Sequence, residues 1–160
     1  MNKKQIVRFV RKVNYGVPIK VCYFSNKRYT CAAAQVLFTR TLNKDGSINV
    51  WSRIEVNKAW KKHLKDVTIK SALLHEVGHL YTGFVIKKKK VALKPGYLRE
   101  YEANIWAMKR ARSLKMYGVR RRILQGFKEW EQFDWNSKHQ IYKKAWKIAV
   151  KNGIIKLNKE

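Results

Sequence analysis

The sequence predicts an α+β fold, a small antiparallel sheet with helices, and three observations predict it. Apolar residues open the chain at helical spacing. Strand-like runs separated by turn residues then extend to about residue 56. From Asp66 onward the apolar period returns to 3.6 and stays there. With 160 residues, 46% of them hydrophobic and six tryptophans among them, the chain can fill one core without disulfide staples.

Taken in order, Ile6, Phe9, Val10 and Val13 line one face of an amphipathic helix over residues 3–13. After Gly16 the run VPIKVCYF reads as a first strand. AAAQVLFTRT and INVWSRIEV read as two more, joined through LNKDGS, whose Asp45-Gly46 is a strong hairpin signal. Ile69, Leu73, Val77 and Leu80 then mark a helix that starts near Asp66 and stops at Gly83. A lysine-rich connector ends in Pro95-Gly96, and a second long helix is expected from Tyr97 to Gly118. Two more helices, separated by DWNS, carry the chain to Gly153. This divides the chain into a core over 1–118 and a helical C-terminal extension over 119–160, packed on the same domain. The late aromatics Trp130, Phe133, Trp135 and Trp146 are expected to hold that extension together.

The charge is unusual. The chain has 37 Lys and Arg against 10 Asp and Glu, a formal net of +27. Such a balance favours polyanionic surroundings and says nothing about fold. Arg120, Arg121 and Arg122, following Gly118, are candidates for nucleic-acid contacts, and Lys87 to Lys90 form a similar block. A lysine-rich solvated surface accounts for the same composition, and no basic-aromatic recognition motif is present. No run of about 18 apolar residues occurs, so no membrane partner is expected and the cytoplasm is the expected location. Cys22 and Cys31 have neither redox nor zinc-ribbon spacing and read as unpaired thiols. Nothing in the sequence sets the oligomeric state.

The chain has four histidines, and two of them fall in SALLHEVGHLYTG, residues 71–83, with a glutamate directly after the first. On a helix, positions i and i+4 share a face, so His75 and His79 can offer imidazole nitrogens to one metal ion. Glu76 is rotated by roughly 100° and reaches the ion's open side, where a base must stand to take a proton from water. A third ligand is required. Glycine three and histidine six residues after the second histidine would supply it, but Thr82 and Val85 stand there. The alternative is a glutamate from the next helix, with a short polar residue one turn on to orient a histidine through its other nitrogen. YLREYEANIWA offers Glu100 followed by Asn104, while Glu102 is the competing ligand. The remaining histidines, His63 and His139, read as surface residues.

LLHEVGHL followed by EYEANIWAMKRA resembles the ImmA/IrrE family of small gluzincin-like metallopeptidases, whose second motif is matched at Glu100, Glu102, Ala103, Asn104, Trp106 and Ala107. The resemblance covers roughly residues 1–115. It implies a zincin-like (minigluzincin) fold, Zn as cofactor held by His75, His79 and Glu100, and Glu76 as general base of a peptide hydrolysis. It also suggests as substrate a specific regulatory protein, such as a phage or mobile-element repressor. Two other functions remain open: a DNA-associated protease brought to its substrates by the basic surface, and a non-catalytic nucleic-acid-binding protein on a peptidase scaffold. Tyr81, Tyr97 and Tyr101 are candidate donors to the oxyanion. NVWSRIEV, just before the motif helix, is the expected sheet edge for a peptide to join.

Overall fold

A computed structural model describes residues 1–14, 16–24, 34–58, 63–87, 90–132 and 140–156. Five helices and two small sheets make up this part, in agreement with the α+β expectation. Helix α1, Lys3–Val13, begins with reciprocal caps: the Gln5 N–H donates to the Asn2 side chain, and the Asn2 N–H donates to the Gln5 side chain. It buries Ile6, Phe9, Val10 and Val13, the four residues of the predicted stripe.

Strands β1 (Ile19–Phe24), β2 (Ala34–Leu42) and β3 (Ile48–Asn57) follow, in the spatial order β1-β3-β2. The β2–β3 hairpin turns where Asp45-Gly46 predicts it. The Asp45 carboxylate accepts from the Ser47 N–H at 2.9 Å, and Gly46 takes φ +85°, a conformation that glycine adopts without penalty. Ser52, Ile54 and Val56 alternate inward from β3.

Two expectations about this sheet need correction. It is mixed rather than antiparallel, because β1 pairs with β3 in parallel, from Ile19 opposite Ser52 to Phe24 opposite Asn57. And NVWSRIEV is no edge: β3 is the central strand, hydrogen-bonded on both sides, so β1 and β2 are the edges among the described strands. A hairpin signal reveals only the pairing of neighbours in sequence. The direction of β1 depends on contacts distant in the chain.

Helix α2, Asp66–Thr82, carries the HEVGH segment and buries Ile69, Leu73, Leu74, Val77 and Leu80. The lysine-rich connector after it holds a second hairpin, β4 (Phe84–Lys87) with β5 (Lys90–Leu93), for which the sequence carries no turn signal that the pattern above uses. Helix α3, Gly96–Ser113, lies against α2 and ends earlier than expected. Lys115 adopts φ 55°, and the Met116 N–H closes back on the Ala111 carbonyl at 2.8 Å. That helix ending usually takes a glycine, and a lysine in its place gives no signal in the sequence. Gly118 accordingly falls in the first turn of α4, Tyr117–Glu129.

Helix α5, Gln140–Lys151, completes the described helices. Phe127, Ala145, Ala149 and Ile155 join the same buried cluster as Ile6 and Leu73, so the C-terminal helices share the core of the rest. Trp130 and Trp146 pack against that cluster, while Phe133, Trp135 and His139 lie outside the described residues, as does Cys31. No described helix is long and apolar enough to cross a membrane.

Candidate metal centre

Helices α2 and α3 meet closely because Gly78 has no side chain: a Cβ there would stand 2.7 Å from the Ala103 carbonyl oxygen. This approach brings Glu100 onto the histidine face of α2. His75 Nε2 is 3.1 Å from Glu100 Oε2 and 3.1 Å from His79 Nε2, and His79 Nε2 is 3.5 Å from Glu100 Oε1. One ligand atom from each of the three lies within 4.8 Å of the others, so the group could hold a metal ion. Tetrahedral ligands at the usual zinc distances of about 2.0–2.1 Å stand about 3.3 Å apart, and the observed separations fit that requirement.

The surrounding groups prepare the three side chains. Asn104, buried on α3, sets its amide oxygen 2.9 Å from His75 Nδ1, which directs the other nitrogen toward Glu100 and His79. Burial and the neighbouring His75 charge press His79 down to about 3, so its imidazole is neutral and ready to coordinate. At His75 burial acts the same way but is outweighed by the Glu100 hydrogen bond and charge, and by the charge of Glu76, which raise it to about 9. Glu100 has the complementary balance. Burial would raise it, but the hydrogen bond and charge of His75, helped by the charge of Arg99, hold it below the ordinary carboxylate range.

Glu76 is beside the three but not one of them. Its Oε2 accepts from the Val36 N–H at 2.8 Å, tying α2 to the edge of β2 that pairs with no other described strand. Burial pushes its carboxyl up to about 7, with Glu100 adding to the rise and the His75 charge and Val36 N–H opposing it. In the metal-free protein this carboxyl is therefore partly protonated near neutral pH. Ala34 and Phe38 lie two residues either side of Val36, so their backbone groups turn to the same edge.

These residues line a cleft of about 730 Å³. Its lining comes from β2, α2 and α3, from Arg122 to Trp130 at the end of the chain's next helix, and from Tyr142. The Trp130 ring stands edge-on to His75 at 6.3 Å and against Tyr142 at 4.8 Å. Glu102, the competing ligand in the sequence, points elsewhere and pairs with Lys94 at 2.6 Å.

The three candidate tyrosines do not line the cleft. Tyr81 donates to Asn14 and stacks on Trp106 at 4.9 Å, and the Tyr101 hydroxyl accepts from Asn152 at 2.9 Å. Tyr97 is half-buried outside the lining. Tyr142 and Arg99 line it instead. Arg99 was not singled out in the sequence, although its place next to Glu100 is a signal that could have found it. Tyr142 arrives from a distant helix and had no local signal. Of the basic triplet, Arg120 and Arg121 are exposed, whereas Arg122 lines the cleft and pairs with Glu129 at 3.3 Å. His63 is exposed, as expected, and Cys22 is half-buried.

The chain has no significant match to a protein-family model, a curated protein or a solved structure.

Proposed function

We propose that this chain is a zinc-dependent peptidase of the ImmA/IrrE type, with a zincin-like fold. One observation carries the reading: His75, His79 and Glu100 converge at tetrahedral spacing while Glu76, one position from a ligand, stands beside them on the edge of β2. Two imidazoles and one carboxylate are a donor set suited to zinc, and three protein ligands leave a position open for chemistry. The ion, when bound there, supplies Lewis-acid activation of a water molecule and of the scissile carbonyl.

The chain's own residues would do the rest. Glu76 would take the proton of the attacking water and pass it to the departing amine, a role suited to a carboxylate that lines the cleft next to a ligand. The backbone of β2, whose edge faces the cleft, can receive an extended peptide as an added strand. The resemblance of the motifs further suggests a specific regulatory protein as the substrate.

Elemental analysis of protein purified without chelator is the direct test. Wild type and Glu76→Gln should each hold about one zinc, and His79→Ala should lose it. Hydrolysis of denatured casein should fall about 100-fold or more in Glu76→Gln. Zinc-free wild type, or His79→Ala with a full complement, overturns the assignment.

A further inference from the structure

Two arginines stand near Phe38, one of the residues that line the cleft. Arg99 lines it from the first turn of α3, and a Cβ placed on Gly83 would stand 3.7 Å from Arg99 Cδ and 3.6 Å from the Phe38 ring, so all three share one corner. Arg40, two residues after Phe38 on the same face of β2, sets its Cζ 5.6 Å from the Phe38 ring centre and 3.5 Å from that of Phe84. Arg99 Nε and Arg40 Nε and Nη2 are buried, with no hydrogen-bond partner among the described residues. Neither arginine makes an ion pair there. Arg122, the other arginine of the cleft, is by contrast neutralised by Glu129.

A buried donor without an acceptor costs about 1–3 kcal/mol, more when charged, so an arginine held this way is suited to an acceptor that arrives with a ligand. Charge says which acceptor. With a divalent ion in place, the formal charges of Glu76 and Glu100 match its two and Arg122 matches Glu129, so the lining carries one positive charge in excess, the number that Arg99 adds. A guanidinium presents its N–H groups as a fork that matches a carboxylate.

We infer that Arg99 is a specificity-determining residue that receives an Asp or Glu side chain of the peptide lying along β2, near the bond to be cleaved, with Arg40 adding positive potential behind Phe38. The inference rests on the peptidase reading and names the class of substrate: acidic segments.

The test uses quenched decapeptides in which a single Glu, Gln or Lys is moved along an otherwise constant sequence. Wild type, Arg99→Gln and Arg99→Glu are compared, each first checked for zinc. Wild type should prefer Glu over Gln at one position by about 10-fold or more in kcat/KM, the size of one charge-assisted contact. Arg99→Gln should erase the preference and Arg99→Glu should shift it to Lys, a reversal that a merely structural arginine would not produce. In parallel, anisotropy at about 150 mM salt measures binding of the labelled Glu and Gln peptides to the Glu76→Gln protein, with and without Arg99→Gln. The surface variant Lys4→Gln/Lys12→Gln should retain the preference. Equal handling of Glu and Gln by wild type, survival of the preference in Arg99→Gln, or its loss in the surface variant overturns the inference. If no peptide is cut at all, the peptidase reading fails, and the anisotropy still decides whether Arg99 selects a carboxylate.

Discussion

Asn104 and His75 are joined across two helices: the amide oxygen of one stands 2.9 Å from Nδ1 of the other. That contact fixes the imidazole plane and leaves Nε2 directed at Glu100 and His79. Removing the acceptor frees the ring to rotate. Asn104→Ala should therefore weaken zinc binding by about 10- to 100-fold while leaving the fold intact. Asn104→Asp, which keeps an acceptor at that place, should restore most of the affinity. Glu102→Gln should change nothing, because Glu102 faces Lys94 rather than the histidines. Competition against a chromophoric chelator measures all three.

Metal uptake should depend on pH with a defined sign. In the metal-free protein His75 holds a proton up to about 9, so an ion must displace that proton at neutral pH. Raising the pH from about 7 to 9 removes the competition, and apparent affinity should rise about tenfold per unit, then level off. His79, already neutral above about 3, contributes no slope. Titration in buffers of different ionisation enthalpy should count about one proton released per zinc near neutral pH. A flat profile between 7 and 9 contradicts the assigned state of His75.

Much of the metal group was legible because its parts are local. The i, i+4 histidines need only a helix, and the Glu100–Asn104 pair needs only that the next helix turn the same face inward. What local pattern could not carry was everything set by contacts distant in sequence. The parallel pairing of β1, the promotion of β2 to the edge beside Glu76, and the arrival of Tyr142 from α5 all belong there. The tyrosines nearest the motif were drawn into packing instead, Tyr81 onto Trp106 and Tyr101 onto Phe127. The break at Lys115 stayed hidden for a different reason, since it uses a lysine in a conformation that a glycine would have advertised.

The net charge predicts a salt effect that can be assigned to residues. No acidic residue occurs between Glu102 and Glu129 other than Glu129 itself at the far end, and within that stretch Arg120 and Arg121 are exposed while Arg122 is engaged by Glu129. If the basic surface serves nucleic acid, affinity for duplex DNA should fall steeply between about 50 and 200 mM salt as counterions are released. Arg120→Gln/Arg121→Gln should then lower the logarithmic slope by about 2, one for each phosphate that is no longer neutralised. An unchanged slope removes the pair from the footprint. No binding near 50 mM salt leaves the charge as a solvated surface.

Gly78, between the two histidines, ties packing to metal binding most directly. A Cβ there would meet Ala103 at 2.7 Å from its carbonyl oxygen, 3.1 Å from its Cα and 3.2 Å from its carbonyl carbon. All three are backbone atoms of α3, so no side chain can swing aside. Gly78→Ala gains helix propensity, worth up to about 1 kcal/mol, but the two helices must separate to admit the methyl group. Overpacking of this kind costs about 1–3 kcal/mol, so the net effect should be a lower midpoint in denaturant. Glu100 and Asn104 move away with α3, and the spacing of about 3 Å from His75 opens with them. Zinc affinity should fall along with stability, although no ligand has been touched. Leu73→Ala provides the contrast: it empties a fully buried site in α2, should destabilise by about 2–5 kcal/mol, and should leave zinc affinity of the folded protein nearly unchanged. Chelator competition at a temperature where both variants are folded separates the two cases, and Gly78→Ala protein that binds zinc as wild type does would show that the close approach of α2 and α3 is not what holds Glu100 in reach.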